Sequence, residues 1–312
     1  MADIILHHYR NSPFSEKIRL VLGFKNLAWK SVDIPPIMPK PDLLPLTGGY
    51  RRTPVMQIGA DIYCDTALMA DVLERIQPSP SLYPQAYAGL DRILAQWADS
   101  TLFWTAIPYS FQPQGLANIF KNMTPEQMQA FSADRAKFRG NAPRMALPEA
   151  IGQMRELVKR LEGMLADGKP YLLGAQPSIA DFSVYHANWF VHDLAGLADI
   201  LAAAPKVAAW KERIAAIGHG TFEKMTAEQA LTVARTSTPA GFDGRQSDDV
   251  YAAHLGQRVT IQPSDYGIDP VEGELVFADA QEFALRRSDE RAGTVVVHFP
   301  RLGYQLKKYE TT

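Results

Sequence analysis

Hydrophobic and polar positions keep three different rhythms along this chain. From 1 to 80 the period switches between two and about 3.6. "DIILHH" reads as a short buried strand, and from Pro13 the apolar residues Phe14, Ile18, Leu20, Val21 and Leu22 fall near helical spacing. "LAWKSVDI" (27–34) predicts a second strand, followed by the proline-rich connection "PPIMPKPDLLPL". "TPVMQI" and "DIYC" predict a hairpin turning at Gly59-Ala60, and "TALMADVLERI" a helix that stops before Pro78. The expectation for 1–80 is a small mixed sheet with helices on both sides.

After the linker "QPSPSLYP" strand signals vanish. Long amphipathic segments such as "LDRILAQWADSTLFW" and "ALPEAIGQMRELVKRLEGML" predict an all-helical domain over 86–235. From 240 to 312 the pattern changes again. "QRVTIQ", "EGELVFA", "EFALRR", "TVVVHF" and "YQLKK" are short alternating runs, read as a small all-β barrel or roll that folds and leans on the helical domain. Helical signal there is confined to "DDVYAAHLG".

Composition narrows the classes without choosing a function. The 312 residues are 46% hydrophobic and 21% charged, with a net charge of -2, so no nucleic-acid partner is suggested. No apolar stretch reaches the roughly 18 residues of a membrane helix, so no membrane partner is expected. A single cysteine, Cys64, and the lack of an export signal point to the cytoplasm. Cys64 sits on a predicted strand and reads as a buried, inert thiol. His7 and His8 alternate on the first strand, so one is expected to face the core, and neither has a metal-ligand spacing partner.

The chemistry starts at "SPF". Ser12 reads as an N-cap with Pro13 at the first helical position, and a hydroxyl there also faces whatever anion the helix N-terminus attracts. "SIAD" fits a capping box in which Ser178 and Asp181 serve folding. Phe103, Trp104, Tyr109, Phe111 and Phe120 concentrate aromatic surface early in the helical domain, as plain core or as a pocket wall.

Four segments together, "SPFSEKIRLVL", "RRTPVMQI", "DT" at 65 and 66, and "QPSIADFSVY" (176–185), make the first 220 to 235 residues, approximately, resemble the cytosolic glutathione transferases of serine type, in a bacterial-like form. The resemblance implies a thioredoxin-like α/β first domain and an all-α second domain. It implies a cis Pro54, with the backbone of Thr53 pairing with the cysteinyl main chain of glutathione. Asp65 would face the glutathione ammonium and Thr66 would hold the γ-glutamyl carboxylate, while Arg51 and Arg52 are candidates for a glutathione carboxylate. Ser12 takes the position of the thiolate-stabilising hydroxyl, with Tyr9 as its rival because other classes use a tyrosine near the strand end. Relatives line their electrophile pocket in this part of the helical domain and form two-fold dimers, which implies a substrate pocket of Phe103, Trp104, Tyr109 and Phe111 and a homodimer here; no metal site is evident from the spacing of the residues. The implied function is detoxification-type transfer of glutathione to an apolar electrophile; the alternative is a non-catalytic relative that binds a protein partner through its C-terminal module. The strands after 240 have no counterpart in ordinary members. They stand as a pocket cover, a dimer extension or a partner-recruiting module.

Overall fold

The computed structural model describes residues 2–87, 89–140, 145–242 and 244–308. In the first domain β1 (Ile4–His8), α1 (Pro13–Phe24), β2 (Trp29–Asp33), α2 (Leu44–Thr47), β3 (Val55–Ile58), β4 (Asp61–Cys64) and α3 (Thr66–Ile76) follow the predicted order. β1 pairs in parallel with β2 and antiparallel with β3, and β3 forms the hairpin with β4.

Alternation along β1 shows why this sheet is buried on both faces. Ile4 and Leu6 enter one apolar core, with α1, α3 and the helical domain, while Ile5 enters a second core on the opposite face. Met56 and Val55 divide in the same way on β3. Both histidines of β1 are therefore buried, not one. His7 Nε2 pairs with Gln57 Oε1 at 2.9 Å, and His8 Nε2 with Ser31 Oγ at 2.9 Å.

The helical domain runs through α4 (Leu90–Trp97), α5 (Phe103–Ser110), α6 (Pro113–Ile119), α7 (Pro125–Arg139), α8 (Leu147–Met164), α9 (Ile179–Trp189) and α10 (Pro205–Ala215). A π-helical turn at Ala98–Leu102 joins α4 to α5. Ser178 and Asp181 form the expected capping box at the start of α9. The Asp181 carboxylate also accepts from Leu172 N–H at 2.9 Å and Trp210 Nε1 at 2.8 Å, so the cap ties three segments together.

The segment after 218 departs from the all-helical reading. β5 (Phe222–Lys224) pairs with β2 as the far edge strand, and α11 (Ala227–Thr236) packs Ala230, Leu231 and Ala234 into the second core. Three exposed residues carry too little pattern to be seen as a strand, and it is the free edge of β2 that selects them.

The β-rich C-terminal region is present as β6 (Arg258–Pro263), β7 (Val271–Ala278), β8 (Glu282–Asp289), β9 (Gly293–Pro300) and β10 (Tyr304–Lys308). Its strands continue the first sheet, giving one ten-stranded order β10-β6-β7-β8-β9-β4-β3-β1-β2-β5. The joint is the parallel pairing of β9 with β4, Ile62 opposite Val297. From there the strands curl back, so that Tyr304 on the outermost strand meets Tyr50 and Asp65 of the first domain. The roll thus includes β4 instead of standing as a module apart, and it leans mainly on the first domain. Its inner residues Val259, Ile261, Leu275, Leu285, Val295 and Phe299 share the second core with Ile5, Val55 and Ile62. Contact with the helical domain is made by the β6–β7 loop, where Tyr266 packs edge-on to Trp104 and Phe138.

Candidate active site

A cleft of about 1870 Å³ lies where the first domain, the helical domain and the C-terminal loops meet. Tyr9, Ser12, Thr53, Pro54, Asp65 and Thr66 line one wall. Phe103, Trp104, Phe111 and Phe120 line the cleft from the helical side. Tyr109 does not take part: it is buried in the first core, because the neighbouring positions on α5 present their rings to the cleft and leave Tyr109 on the inner face.

Ser12 caps α1 with its side-chain oxygen accepting from Ser15 N–H at 3.2 Å, and Pro13 fills the first helical position. The hydroxyl oxygen is thereby an acceptor within the protein, and its proton is left for an acceptor in the cleft. Helix α1 points its positive end at the same spot. Tyr9 also reaches the cleft, with its ring packed against the second core.

The Thr53-Pro54 peptide is cis, as expected. Lys40, not singled out by the sequence, donates to Thr53 Oγ1 at 2.7 Å and to the Arg51 carbonyl at 3.1 Å. Burial, then the nearby Arg135 charge, pushes the Lys40 ammonium down to about 7, with Asp134 opposing and Arg51 adding to the fall. An anion in the cleft would relieve that repulsion.

Asp65 caps α3 from a left-handed φ of 76°, and its Oδ1 accepts from Ala67 N–H at 3.0 Å. Thr66 Oγ1 accepts from Lys17 Nζ at 3.2 Å, so its own proton is free to donate. Lys17 is fully buried and anchored by Asp99 Oδ2 at 2.6 Å, while Asp99 Oδ1 meets His186 Nε2 at 2.9 Å. Burial works against the Asp99 carboxylate, yet the Lys17 charge and the His186 hydrogen bond outweigh it and hold it at about 2. This wall therefore carries a buried Lys17–Asp99 ion pair beneath a hydroxyl that is free to donate to a carboxylate. Breaking such a buried pair at one end costs about 3–5 kcal/mol.

Both arginines before β3 are engaged within the protein. Arg51 pairs with Asp134 at 2.7 Å and Arg52 with Asp265. Lys17, Lys40 and Asp99 were invisible in the sequence because isolated charges at helical or loop positions look like solvated surface. Lys17 stood in a helix whose buried face could be read, and that was the only signal.

Cys64 is fully buried, and burial raises its thiol well above the ordinary range. No group of three or more His, Cys, Asp or Glu that could hold a metal ion occurs among the described residues. Nor is any helix there long and apolar enough to cross a membrane.

A family model described as glutathione S-transferase, N-terminal domain, matches residues 6–81, and one described as glutathione S-transferase, C-terminal domain, matches 144–213. No curated protein is a significant match. Among solved structures, a GST-like protein from Pseudomonas syringae is 42% identical with a TM-score of 0.83, covering 99% of this chain and 100% of that one. A glutathione S-transferase from Rhodospirillum rubrum is 19% identical, TM-score 0.52, over 68% of this chain and 87% of its own. One from Methylobacterium radiotolerans, in complex with glutathione sulfonate, is 16% identical, TM-score 0.50, over 72% and 97%. Only the fold follows from the last two. With both domain models matched in order and a 42% identical relative over essentially its whole length, the chain belongs to the glutathione S-transferase family.

Proposed function

We propose that this chain is a glutathione-dependent transferase that stabilises the glutathione thiolate with Ser12 and presents it to an apolar electrophile on the Phe103–Trp104 wall. The observation that carries the reading is that Ser12, Thr53 and the Asp65–Thr66 pair line one cleft together with Phe103, Trp104, Phe111 and Phe120 of the helical side. On this reading Thr66, backed by Lys17, takes the γ-glutamyl carboxylate, Asp65 the ammonium, and Lys40 the glycyl carboxylate. The enzyme works as a cytoplasmic homodimer. Arg52, engaged by Asp265, acts beside the ligand and not directly on it.

A free thiol with a pKa of about 8.5 is only a few per cent ionised at neutral pH. Lowering that pKa by about two units requires roughly 2.7 kcal/mol, within reach of one charge-assisted hydrogen bond and a helix N-terminus. The gain in thiolate is at most roughly thirtyfold, so any further acceleration comes from orienting the electrophile. Conjugation, reductive dehalogenation, ether cleavage and isomerisation share this thiolate, and the fold does not select among them.

Titration calorimetry with glutathione, together with ultraviolet thiolate absorbance, tests the reading. Binding with a lowered thiol pKa is expected; no binding at millimolar glutathione would overturn it.

A further inference from the structure

We propose that the C-terminal sheet completes the ligand site, with Tyr304 as a positioning residue that sets the Asp65 carboxylate to receive an ammonium group. This rests on the glutathione reading and deepens it. Tyr304 opens β10, and its hydroxyl donates to Asp65 Oδ2 at 3.0 Å. The Tyr50 hydroxyl, 2.8 Å away, completes the chain behind it. Because Asp65 Oδ1 is held by Ala67 N–H, each carboxylate oxygen accepts one hydrogen bond and keeps a lone pair for a donor in the cleft. Burial, and then the Asp65 charge, pushes the Tyr304 phenol well above its ordinary range, so it remains a neutral donor.

Arg52 makes a long ion pair with Asp65, its Nη1 3.9 Å from Oδ2 and beyond hydrogen-bond distance. That guanidinium is held back by the β6–β7 loop. It pairs with Asp265, donates to the Tyr266 carbonyl at 2.5 Å, and lies 3.9 Å over the Tyr266 ring. Gly267 lets the loop come this close, since a Cβ there would stand 2.6 Å from Phe138 Cε2. One region of the chain thus orients the carboxylate and restrains its internal counter-ion. The charge left facing the cleft fits a primary ammonium, and the region that supplies these contacts is the one beyond the helical domain.

The test compares two ligands on the full-length protein: glutathione, and an analogue in which a glutaryl group replaces the γ-glutamyl residue and so lacks the amino group. The parent is expected to bind glutathione at least tenfold more tightly than the analogue. Tyr304→Phe, which keeps the ring, should weaken glutathione about tenfold and the analogue less than twofold. Asp265→Asn, at a half-exposed site, should produce the same selective loss by freeing Arg52 to swing onto Asp65, and it reads the inference even if Tyr304→Phe does not fold. Should the parent fail to bind glutathione, the functional reading falls and this inference with it. A parent that binds, with variants that weaken both ligands equally or neither, overturns the positioning role alone.

Discussion

At the scale of single residues, the site is built from side chains whose internal partner leaves one function unspent. Ser12 accepts from Ser15 N–H and retains a proton to donate, so Ser12→Ala should lower thiolate-dependent turnover at least tenfold, roughly the value of one charge-assisted bond. Tyr9→Phe should leave turnover nearly intact; steady-state rates that rank the two the other way would move the role to Tyr9. Lys40 gives a second prediction, because its ammonium is held at about 7, chiefly by burial. A ligand carboxylate binds best while that group is protonated. Affinity for S-methylglutathione, whose sulfur does not titrate, should therefore fall as pH rises through about 7, and Lys40→Met should flatten the slope. A parent profile without slope from about pH 6 to about pH 8.5 would remove Lys40 from the site.

At the scale of elements, the joint between β4 and β9 carries a buried charge cluster. His298, next to Tyr63 in the pairing, contacts Glu282 Oε1 at 2.8 Å and Asp61 Oδ1 at 3.0 Å. Burial would lower the His298 pKa, but the hydrogen bonds and charges of the two carboxylates outweigh it and raise it. Glu282 is likewise opposed by burial, yet His298 and Arg245 bring it down to about 2. A base with a raised folded pKa contributes stability that is complete below the unfolded value of about 6.5 and disappears as pH climbs through the folded value. An acid with a lowered pKa contributes fully above about 4.5 and loses that contribution as pH drops toward 2. The joint is thus strongest between about pH 4.5 and 6.5. His298→Gln should destabilise by about 3–5 kcal/mol in that window. Denaturation midpoints of parent and variant that keep a constant gap up to alkaline pH would show that the imidazolium is not what holds the joint.

At the scale of the whole molecule, the first domain and the C-terminal strands share the second core. Deleting the chain from about 240 strips Val259, Leu275, Val295 and Phe299 from Ile5, Val55 and Ile62. Uncovering so much apolar surface, at about 25 cal/mol per Å², should leave the truncated protein insoluble or molten. A truncation with an unchanged melting temperature would make the C-terminal region a tethered module and favour the partner-binding alternative. The intact protein is expected to be a homodimer, so light scattering should give about twice the 34.6 kDa chain mass.

The sequence by itself determined most elements of the first two domains, though not β5, because a period of two or 3.6 is a local property written in neighbouring residues. It also determined the residues that line up behind a local motif: Ser12 before Pro13, Thr53 before Pro54, Asp65 before Thr66. It could not say where β6 to β10 would dock. Alternation reports that a strand has an inner face, not which sheet that face joins. "TVVVHFP" held a partial clue, since a nearly unbroken apolar run fits a central strand, and β9 is in fact buried on both sides. The tertiary structure alone decided that Lys17 and Asp99 meet beneath Thr66, that Tyr109 turns inward, and that Tyr304 reaches Asp65 across 239 positions of chain. Such pairings depend on how far the sheet curls and how the helices pack against it, and neither is encoded within any one stretch of sequence.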